Sequence, residues 1–311
     1  MGEDSPRTVL ELERRFSTEE ACRSYLQQLR WPDGFVCPRC QGVEAWAGSR
    51  GRLICRACRH QASVTAGTVF QDTHTSLVLW FRAAWCITSQ KNGASAATLQ
   101  QTLGLGSYQT AWAWLHKLRR AMVRPGRDQL HGTVEVDETF VGGEEPRDGS
   151  GGDKKAIVVV AAEEDGAGIG RIRLATVPDR SKKSLGGFVK RVVVPGSVVH
   201  TDGAPGYEGL EKAGFPHRRT VVGWRTDPAE ASRLLPRVHR VASLLKRWLL
   251  GTHQGAVSNE HLDYYLDEFT FRFNRRTSRS RGKLFYRLLQ QALQVPPSPY
   301  HGMIGGRSNE E

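Results

Sequence analysis

Apolar residues recur at helical intervals in the first part of the chain and at strand intervals in the second. Helical spacing is clearest from Leu77 to Ile87. A pair of helices is predicted over 96–103 and 107–122, joined by a short turn that contains glycine. Beyond Pro125, short apolar or alternating runs predict strands at 133–141, 156–162, 170–177 and 197–200. The pattern predicts a helical part followed by an α/β part.

Further helices are expected among and after these strands, over 182–193, 236–250 and 258–274. The second of these is placed to begin at Pro236, because proline is tolerated at the first position of a helix. Residues 296–311 lack such a pattern and end in small and polar residues, so we expect a disordered tail.

Four of the six cysteines form two CxxC pairs, Cys37 with Cys40 and Cys55 with Cys58, separated by 14 residues. Each pair lets two thiolates bind one cation from a tight turn, and two such turns complete a tetrahedral zinc site. Two disulfides or unrelated redox motifs are the alternative. His60 is a further possible ligand, although four thiolates already fill the coordination shell. The spacing predicts a zinc ribbon with structural Zn²⁺.

The chain has a net charge of +12, which favours a polyanionic partner, and nucleic acid ahead of a membrane surface. A merely solvated basic surface is the alternative. No apolar run approaches the ~20 residues that span a bilayer, and no signal-peptide pattern is present. We therefore expect a cytoplasmic protein that meets nucleic acid.

Two aspartates stand out in this basic chain. Asp137 lies in Glu135-Val136-Asp137-Glu138, where strand alternation places Glu135 and Asp137 on one face and Glu138 on the other. Asp202 ends the short apolar run Val198–Thr201. A carboxylate that faces inward from a strand requires a partner or a cation, and two such aspartates favour magnesium-dependent phosphodiester chemistry. Aspartates that merely cap turns are the alternative.

Two regions are candidates for DNA contact. The second helix of the predicted pair presents residues to base edges from its first turn and to the phosphate backbone from its last turn. A basic stretch that begins at Arg272 adds phosphate contacts. Each position has a solvated helix face as its alternative. The candidates are Ser107, Tyr108, Gln109 and Thr110 for bases, and Lys117, Arg119, Arg120, Arg272, Arg275 and Arg276 for phosphates.

The order of zinc ribbon, helix-turn-helix, VEVDETFVGG, HTDG and SLLKRWLLGTHQG resembles one group of bacterial and archaeal insertion-sequence transposases. The resemblance runs from about Ser17 to Leu293. It implies a ribonuclease H-like domain of the DDE superfamily, with a mixed five-stranded sheet flanked by helices. It also implies that Asp137 and Asp202 are catalytic and bind Mg²⁺ or Mn²⁺.

The third catalytic position departs from the pattern that gives the superfamily its name. The position where many relatives carry Glu or Asn is His239 here, and the lysine of the family signature is Lys246. The resemblance implies that His239 binds the catalytic metal and that Lys246 contacts DNA near the cut. A surface histidine in an inactive enzyme is one alternative. Glu268, on the following helix, is a rival third carboxylate.

The resemblance implies a transposase that binds terminal inverted repeats, cleaves the 3′ ends and joins them to target DNA. We expect a homodimer or higher oligomer on double-stranded DNA, in the nucleoid of a prokaryote. The alternatives are a domesticated, non-enzymatic DNA-binding protein and a zinc-ribbon module attached to an unrelated nuclease. The expected domains are 1–34 (helical), 35–63 (zinc ribbon), 64–127 (helix-turn-helix), 128–295 (catalytic) and 296–311 (tail).

Overall fold

The computed structural model describes residues 5–124, 126–142, 155–220, 233–255 and 257–304. The chain forms two compact units. One comprises the residues up to Gly126 together with Thr277–Gly305, and the other is built on Arg127–Arg276. No helix among the described residues is both long enough and apolar enough to cross a membrane.

Helices and strands come in runs along the chain. In chain order, the α-helices of the described residues are α1 (Val9–Arg15), α2 (Glu19–Arg30), α3 (Leu77–Ser89), α4 (Ala96–Leu103), α5 (Tyr108–Arg120), α6 (Lys182–Val192), α7 (Pro236–His253), α8 (Leu262–Phe273), α9 (Arg281–Ala292) and α10 (Tyr300–Ile304). The strands are β1 (Ala45–Ala47), β2 (Leu53–Cys55), β3 (Gln61–Ala62), β4 (Thr133–Val141), β5 (Ala156–Asp165), β6 (Gly168–Val177), β7 (Val198–Thr201) and β8 (His217–Arg219).

The first unit combines a small antiparallel sheet with helices. Strands β1, β2 and β3 pair in that order, and the cysteine pairs lie at the turns beside them. An aromatic core joins the helices: Phe285 of α9 packs at ring-centroid distances of 6.0 Å from Phe16, 5.7 Å from Phe81 and 5.9 Å from Trp85. Helix α9 therefore belongs to this unit, whereas the sequence had placed it in a catalytic domain extending to residue 295.

The end of the described chain differs from the expected tail. Residues 300–304 form helix α10, and the side chain of Met303 is fully buried. Ser298 is also buried, and its hydroxyl accepts a hydrogen bond of 2.9 Å from Arg120 of α5. The expectation of disorder was wrong for this segment, because one apolar side chain and one buried hydroxyl hold it. Residues from 305 onward lie outside the described part of the chain.

The second unit is built on a five-stranded sheet in the order β6-β5-β4-β7-β8. Pairs β6–β5 and β5–β4 are antiparallel, and pairs β4–β7 and β7–β8 are parallel. The sheet is therefore mixed, with helices on both faces, as expected for a ribonuclease H-like fold. One face packs on α6 through Val134 and Val136, and the other packs on α7 and α8 through Val158 and Val160.

Alternation along the central strand β4 decides which acidic side chain meets which helix. Val134 and Val136 enter the core on the α6 side. Glu135 and Asp137 lie on the opposite face, towards α7. A central strand with both faces covered is normally apolar throughout. The two carboxylates of β4 that face α7 are therefore exceptions to this rule, which makes them candidates for a functional role.

Candidate active site and zinc centre

The four cysteine thiols converge in the first unit. The Sγ atoms of Cys37 and Cys58 lie 3.7 Å apart, and those of Cys40 and Cys55 lie 3.6 Å apart. All four lie within 4.8 Å of one another. A tetrahedral zinc ion with Zn–S bonds of about 2.3 Å separates its sulfurs by about 3.8 Å. The cluster therefore fits a structural zinc ion and does not consist of disulfides.

Two turns of the same geometry bring the thiols together. The amides of Cys37 and Cys55 donate to the carbonyls of Gly42 and His60, at 2.9 and 3.0 Å. The residue after each CxxC is left-handed, with φ of 63° at Gln41 and 60° at Arg59. His60 therefore contributes a backbone carbonyl to the turn, and the four-thiolate set is complete without its ring.

In the second unit, Asp137 lies on β4 with its side chain 16% exposed. Its Oδ1 accepts a hydrogen bond of 2.9 Å from the amide of Glu138, and its Oδ2 lies 3.7 Å from Nε2 of His239 on α7. Asp202 follows β7, the parallel neighbour of β4. The register pairs Glu135 with His200, so Asp202 emerges beside Asp137. The fold thus brings together three residues that are distant in sequence.

The electrostatics of this cluster indicate an excess of negative charge. Burial, followed by the charges of Glu138 and Asp202, raises the pKa of Asp137 to about 7. Burial lowers the pKa of His239, which favours the neutral imidazole. One oxygen of Asp202, Oδ1, accepts a hydrogen bond from the amide of Ala204 at 2.9 Å. Neighbouring carboxylates with a neutral imidazole are a donor set that suits a divalent cation.

The arrangement is more open than a closed metal site. In the described part of the chain, the ligand atoms of three or more such residues gather within 4.8 Å at the four cysteines and at Glu135, Glu164 and His200. The set of Asp137, Asp202 and His239 is wider. In this structure, Asp137, Asp202 and His239 therefore do not form a closed set of metal ligands.

Sequence reasoning assigned no role to Glu138 and Tyr207, which adjoin this cluster. The hydroxyl of Tyr207 donates to Oε2 of Glu138 at 2.9 Å, and the guanidinium of Arg180 forms an ion pair with the other oxygen of Glu138. Burial and the charge of Glu138 raise the pKa of Tyr207, so the phenol remains protonated. Glu138 directly follows Asp137 in the sequence, but its partners Arg180 and Tyr207 lie 42 and 69 residues away, so the sequence did not indicate the contacts.

The remaining candidates for catalysis lie on α7 and α8. Lys246 lies seven residues after His239 on α7 and is exposed. Glu268, the rival third carboxylate, is fully buried on α8 and lies 4.0 Å from the guanidinium of Arg272. A side chain enclosed in the core is not available to substrate. The position of Glu268 therefore favours His239 over it.

Helices α4 and α5 are joined by a short turn in which Gly104 adopts a left-handed conformation with φ of 63°. The Ser107 hydroxyl caps α5 by accepting from the amide of Thr110 at 3.1 Å. Tyr108 and Gln109 are exposed on the first turn of the helix. Two of the four residues expected to contact bases therefore hold the helix terminus, and two project from it.

The phosphate-contact candidates on α5 also differ in their exposure. Lys117 and Arg120 are partly exposed, but Arg119 is only 1% exposed. The expectation of a phosphate contact for Arg119 is therefore wrong in this structure, because its guanidinium faces the protein interior. The run of basic residues at the end of α5 did not reveal in the sequence that Arg119 is buried.

The arginines at the start of the basic stretch differ in exposure and in the contacts that they make. Arg272 is 11% exposed beside Glu268, and Arg275 stacks 4.0 Å from the ring centroid of Phe271. Arg276 is exposed, and its guanidinium lies 4.1 Å from the ring of Phe273 while donating to the carbonyls of Ile169 and Gly170. The stretch from Thr277 onward belongs to the first unit. These arginines therefore serve the packing of α8 and β6 in addition to any contact with DNA.

Comparison with known proteins finds a domain match for each of the two regions. Residues 17–61 match a transposase zinc-ribbon domain, and residues 129–274 match an ISXO2-like transposase domain. An uncharacterized protein in the transposable element ISH50 of Halobacterium salinarum is 28% identical over an alignment of 300 residues, and the match covers 87% of this chain and 95% of that protein. The two domain matches together take up more than half of the chain, and the second contains Asp137, Asp202 and His239. The chain therefore combines a transposase zinc-ribbon domain with an ISXO2-like transposase domain, as in the insertion-sequence transposases that it resembles.

Proposed function

We propose that this protein is an active transposase that cleaves the 3′ ends of its element and joins them to target DNA, with Asp137, Asp202 and His239 as its catalytic set. The proposal depends mainly on one observation. Nε2 of His239 on α7 lies 3.7 Å from Oδ2 of Asp137 on the central strand, and the charge of the neighbouring Asp202 acts on Asp137.

A divalent cation, Mg²⁺ or Mn²⁺, would be held by Asp137, Asp202 and His239. When bound, it would supply a Lewis acid that activates the attacking oxygen and stabilises the leaving oxygen in phosphodiester cleavage. The raised pKa of Asp137 and the lowered pKa of His239 support this assignment. A bound cation would relieve the repulsion between neighbouring carboxylates, and a neutral imidazole has a nitrogen free to coordinate the cation.

The surrounding residues have supporting roles. Arg180 and Tyr207 hold the Glu138 carboxylate, which keeps that group from competing for the place of Asp137. Lys246 is exposed on the same helix as His239 and two turns further on. We assign it to a DNA phosphate near the scissile bond, where its charge supplies affinity without sequence information.

Recognition of the terminal repeats is assigned to helix α5 as the second helix of a helix-turn-helix. Tyr108 and Gln109 are exposed on its first turn, and we assign them to base edges in the major groove. Lys117 and Arg120 would meet the backbone. Ser107 and Thr110 cap the helix and keep its N-terminus intact. On this assignment, α5 specifies the sequence and the basic residues supply salt-sensitive affinity.

The proposal is tested with labelled DNA that carries the terminal repeats flanking the gene. Wild-type protein with Mg²⁺ or Mn²⁺ is expected to release 3′ hydroxyl ends, and Asp137→Asn, Asp202→Asn and His239→Ala are each expected to bind the DNA without cutting it. Asp165→Asn, an exposed carboxylate at the end of β5, is the matched control. Cleavage that survives all three changes would refute the active site. Binding without cleavage by wild-type protein would support the non-enzymatic alternative.

A further inference from the structure

Helix α7, which carries His239, begins without a cap of its own. Its N-cap residue is Leu235, which has no side-chain acceptor, and its first residue is Pro236, which has no N–H. The first amides left without an intrahelical partner are those of Arg237 and Val238. A buried helix end requires acceptors for such groups. Among the described residues just before the helix, Arg233 to Leu235 offer no side-chain acceptor.

The missing acceptor comes from the central strand, about a hundred residues earlier in the chain. Oε2 of Glu135 accepts from the amide of Arg237 at 2.7 Å and from that of Val238 at 3.1 Å. Oε1 of the same carboxylate accepts from the Arg237 guanidinium at 2.8 Å. Glu135 is 1% exposed. A buried carboxylate at a helix N-terminus satisfies the free amides and interacts favourably with the helix dipole.

The guanidinium of Arg237 extends the attachment to the neighbouring strands. It lies 3.2 Å from Glu164 of β5, and it donates to the carbonyls of Gly166 and Gly168 at 2.8 and 2.9 Å. The two glycines lie at the turn between β5 and β6. The start of α7 is therefore fastened to three strands through one arginine and one carboxylate.

The same neighbourhood meets a geometric criterion for a cation, because ligand atoms of Glu135, Glu164 and His200 lie within 4.8 Å of one another. Two guanidinium groups already hold these three side chains. Arg237 binds both carboxylates, and Arg218 binds Glu164 at 3.2 Å and Nδ1 of His200 at 2.7 Å. The cluster is therefore an internal ion-pair network, and its cations are the protein's own arginines.

This network adjoins Asp137 on β4 and His239 on α7. Asp137 follows Glu135 by two residues on the same face of β4, and His239 directly follows Val238 on α7. We infer that Glu135 is a positioning residue: it caps α7 from the central strand and thereby holds the His239 imidazole against Asp137. The inference rests on the proposed function for its consequence in catalysis, but the placement of His239 is measurable without catalysis.

A matched control lies on the next strand. Glu163 of β5 is 6% exposed, accepts two hydrogen bonds from the Arg171 guanidinium at 2.6 and 3.0 Å, and accepts the amides of His131 and Arg171. It resembles Glu135 in burial and in its partners, but it does not touch α7. Glu135→Gln and Glu163→Gln therefore remove equivalent charges, and only the first loosens the helix that carries His239.

The test compares the two variants in the full-length protein by histidine NMR and by Mn²⁺ binding. In wild-type protein and in Glu163→Gln, the Asp137→Asn change is expected to shift the His239 imidazole resonance, which is identified with His239→Ala. In Glu135→Gln that response is expected to be lost, with faster hydrogen exchange at the amides of Arg237 and Val238. Mn²⁺ affinity is expected to fall by about 10- to 100-fold, as for outer-shell partners of metal ligands, while Glu163→Gln retains it.

Two outcomes separate the inference from the proposed function. An unchanged response of His239 to Asp137→Asn in Glu135→Gln, with wild-type exchange at the α7 amides, would overturn the positioning role whatever the activity of the protein. A lost response in Glu135→Gln, combined with unchanged Mn²⁺ binding in His239→Ala, would support the positioning role and contradict the assignment of His239 as a metal ligand. Equal effects of Glu135→Gln and Glu163→Gln on every readout would reduce Glu135 to a general contributor to stability.

Discussion

At the scale of single residues, the candidate site depends on the chemistry of His239. Its Nε2 lies 3.7 Å from Asp137, at a position where many relatives carry a carboxylate or an amide. An imidazole contributes no negative charge and coordinates through nitrogen, so it changes which cation the site prefers. Mg²⁺ favours oxygen ligands, whereas Mn²⁺ accepts nitrogen more readily.

We therefore predict that wild-type protein cleaves terminal-repeat DNA faster with Mn²⁺ than with Mg²⁺. His239→Glu is predicted to shift the preference towards Mg²⁺, because it restores an oxygen ligand and a negative charge. Rates are compared at saturating DNA over a range of each cation. Equal dependence on the two cations in wild-type protein, with no change in His239→Glu, would contradict the role given to the imidazole.

At the scale of elements, the strands of the second unit carry buried acids whose arginine partners come from other elements. Glu163 on β5 pairs with Arg171 of β6, and Glu135 on β4 pairs with Arg237 of α7. Burial opposes ionisation of Glu163, but the hydrogen bonds from Arg171 and the His131 amide outweigh it and hold the pKa below its usual value. A carboxylate with a depressed pKa stabilises the fold only while it is ionised.

The stability that ionised Glu163 contributes depends on pH. The unfolded chain has a glutamate pKa of about 4.3, so the stabilisation is fully present above that pH and is lost as the pH falls through the lower folded-state value. We predict that Glu163→Gln has a smaller free energy of unfolding than wild type at pH 7, and that the difference shrinks as the pH falls below about 4. Urea denaturation across this range measures it. A difference that is constant with pH would mean that the ion pair is not its source.

At the scale of the whole molecule, the chain leaves the first unit after Gly126 and returns to it at Thr277. Helix α9 completes the aromatic core of that unit through Phe285, which is fully buried. Phe285→Ala is predicted to lower the free energy of unfolding by about 3–5 kcal/mol, the usual cost of removing a buried phenylalanine. Tyr286→Ala, at a partly exposed position on the same helix, is the control. A change below 1 kcal/mol in Phe285→Ala would contradict the packing of α9.

The sequence predicted those features that depend on short-range patterns. The spacing of Cys37, Cys40, Cys55 and Cys58 was sufficient to predict the zinc ribbon, because each CxxC pair lies within one short turn and the two pairs are a hairpin's length apart. Strand alternation correctly separated Asp137 from Glu138. The cap that Glu135 provides to α7 was missed, because it joins residues 102 and 103 positions apart. The burial of Arg119 and the return of α9 were missed for the same reason: each is set by tertiary packing.

In the proposed function, Asp137, Asp202 and His239 form one cation-dependent site for cutting DNA. Its most direct test is single-turnover hydrolysis of terminal-repeat DNA with Mn²⁺, measured beside DNA binding for wild type, Asp202→Asn and Asp165→Asn. We predict cleavage by wild type and by Asp165→Asn, and none by Asp202→Asn at equal DNA affinity. Cleavage by Asp202→Asn at the wild-type rate would contradict it.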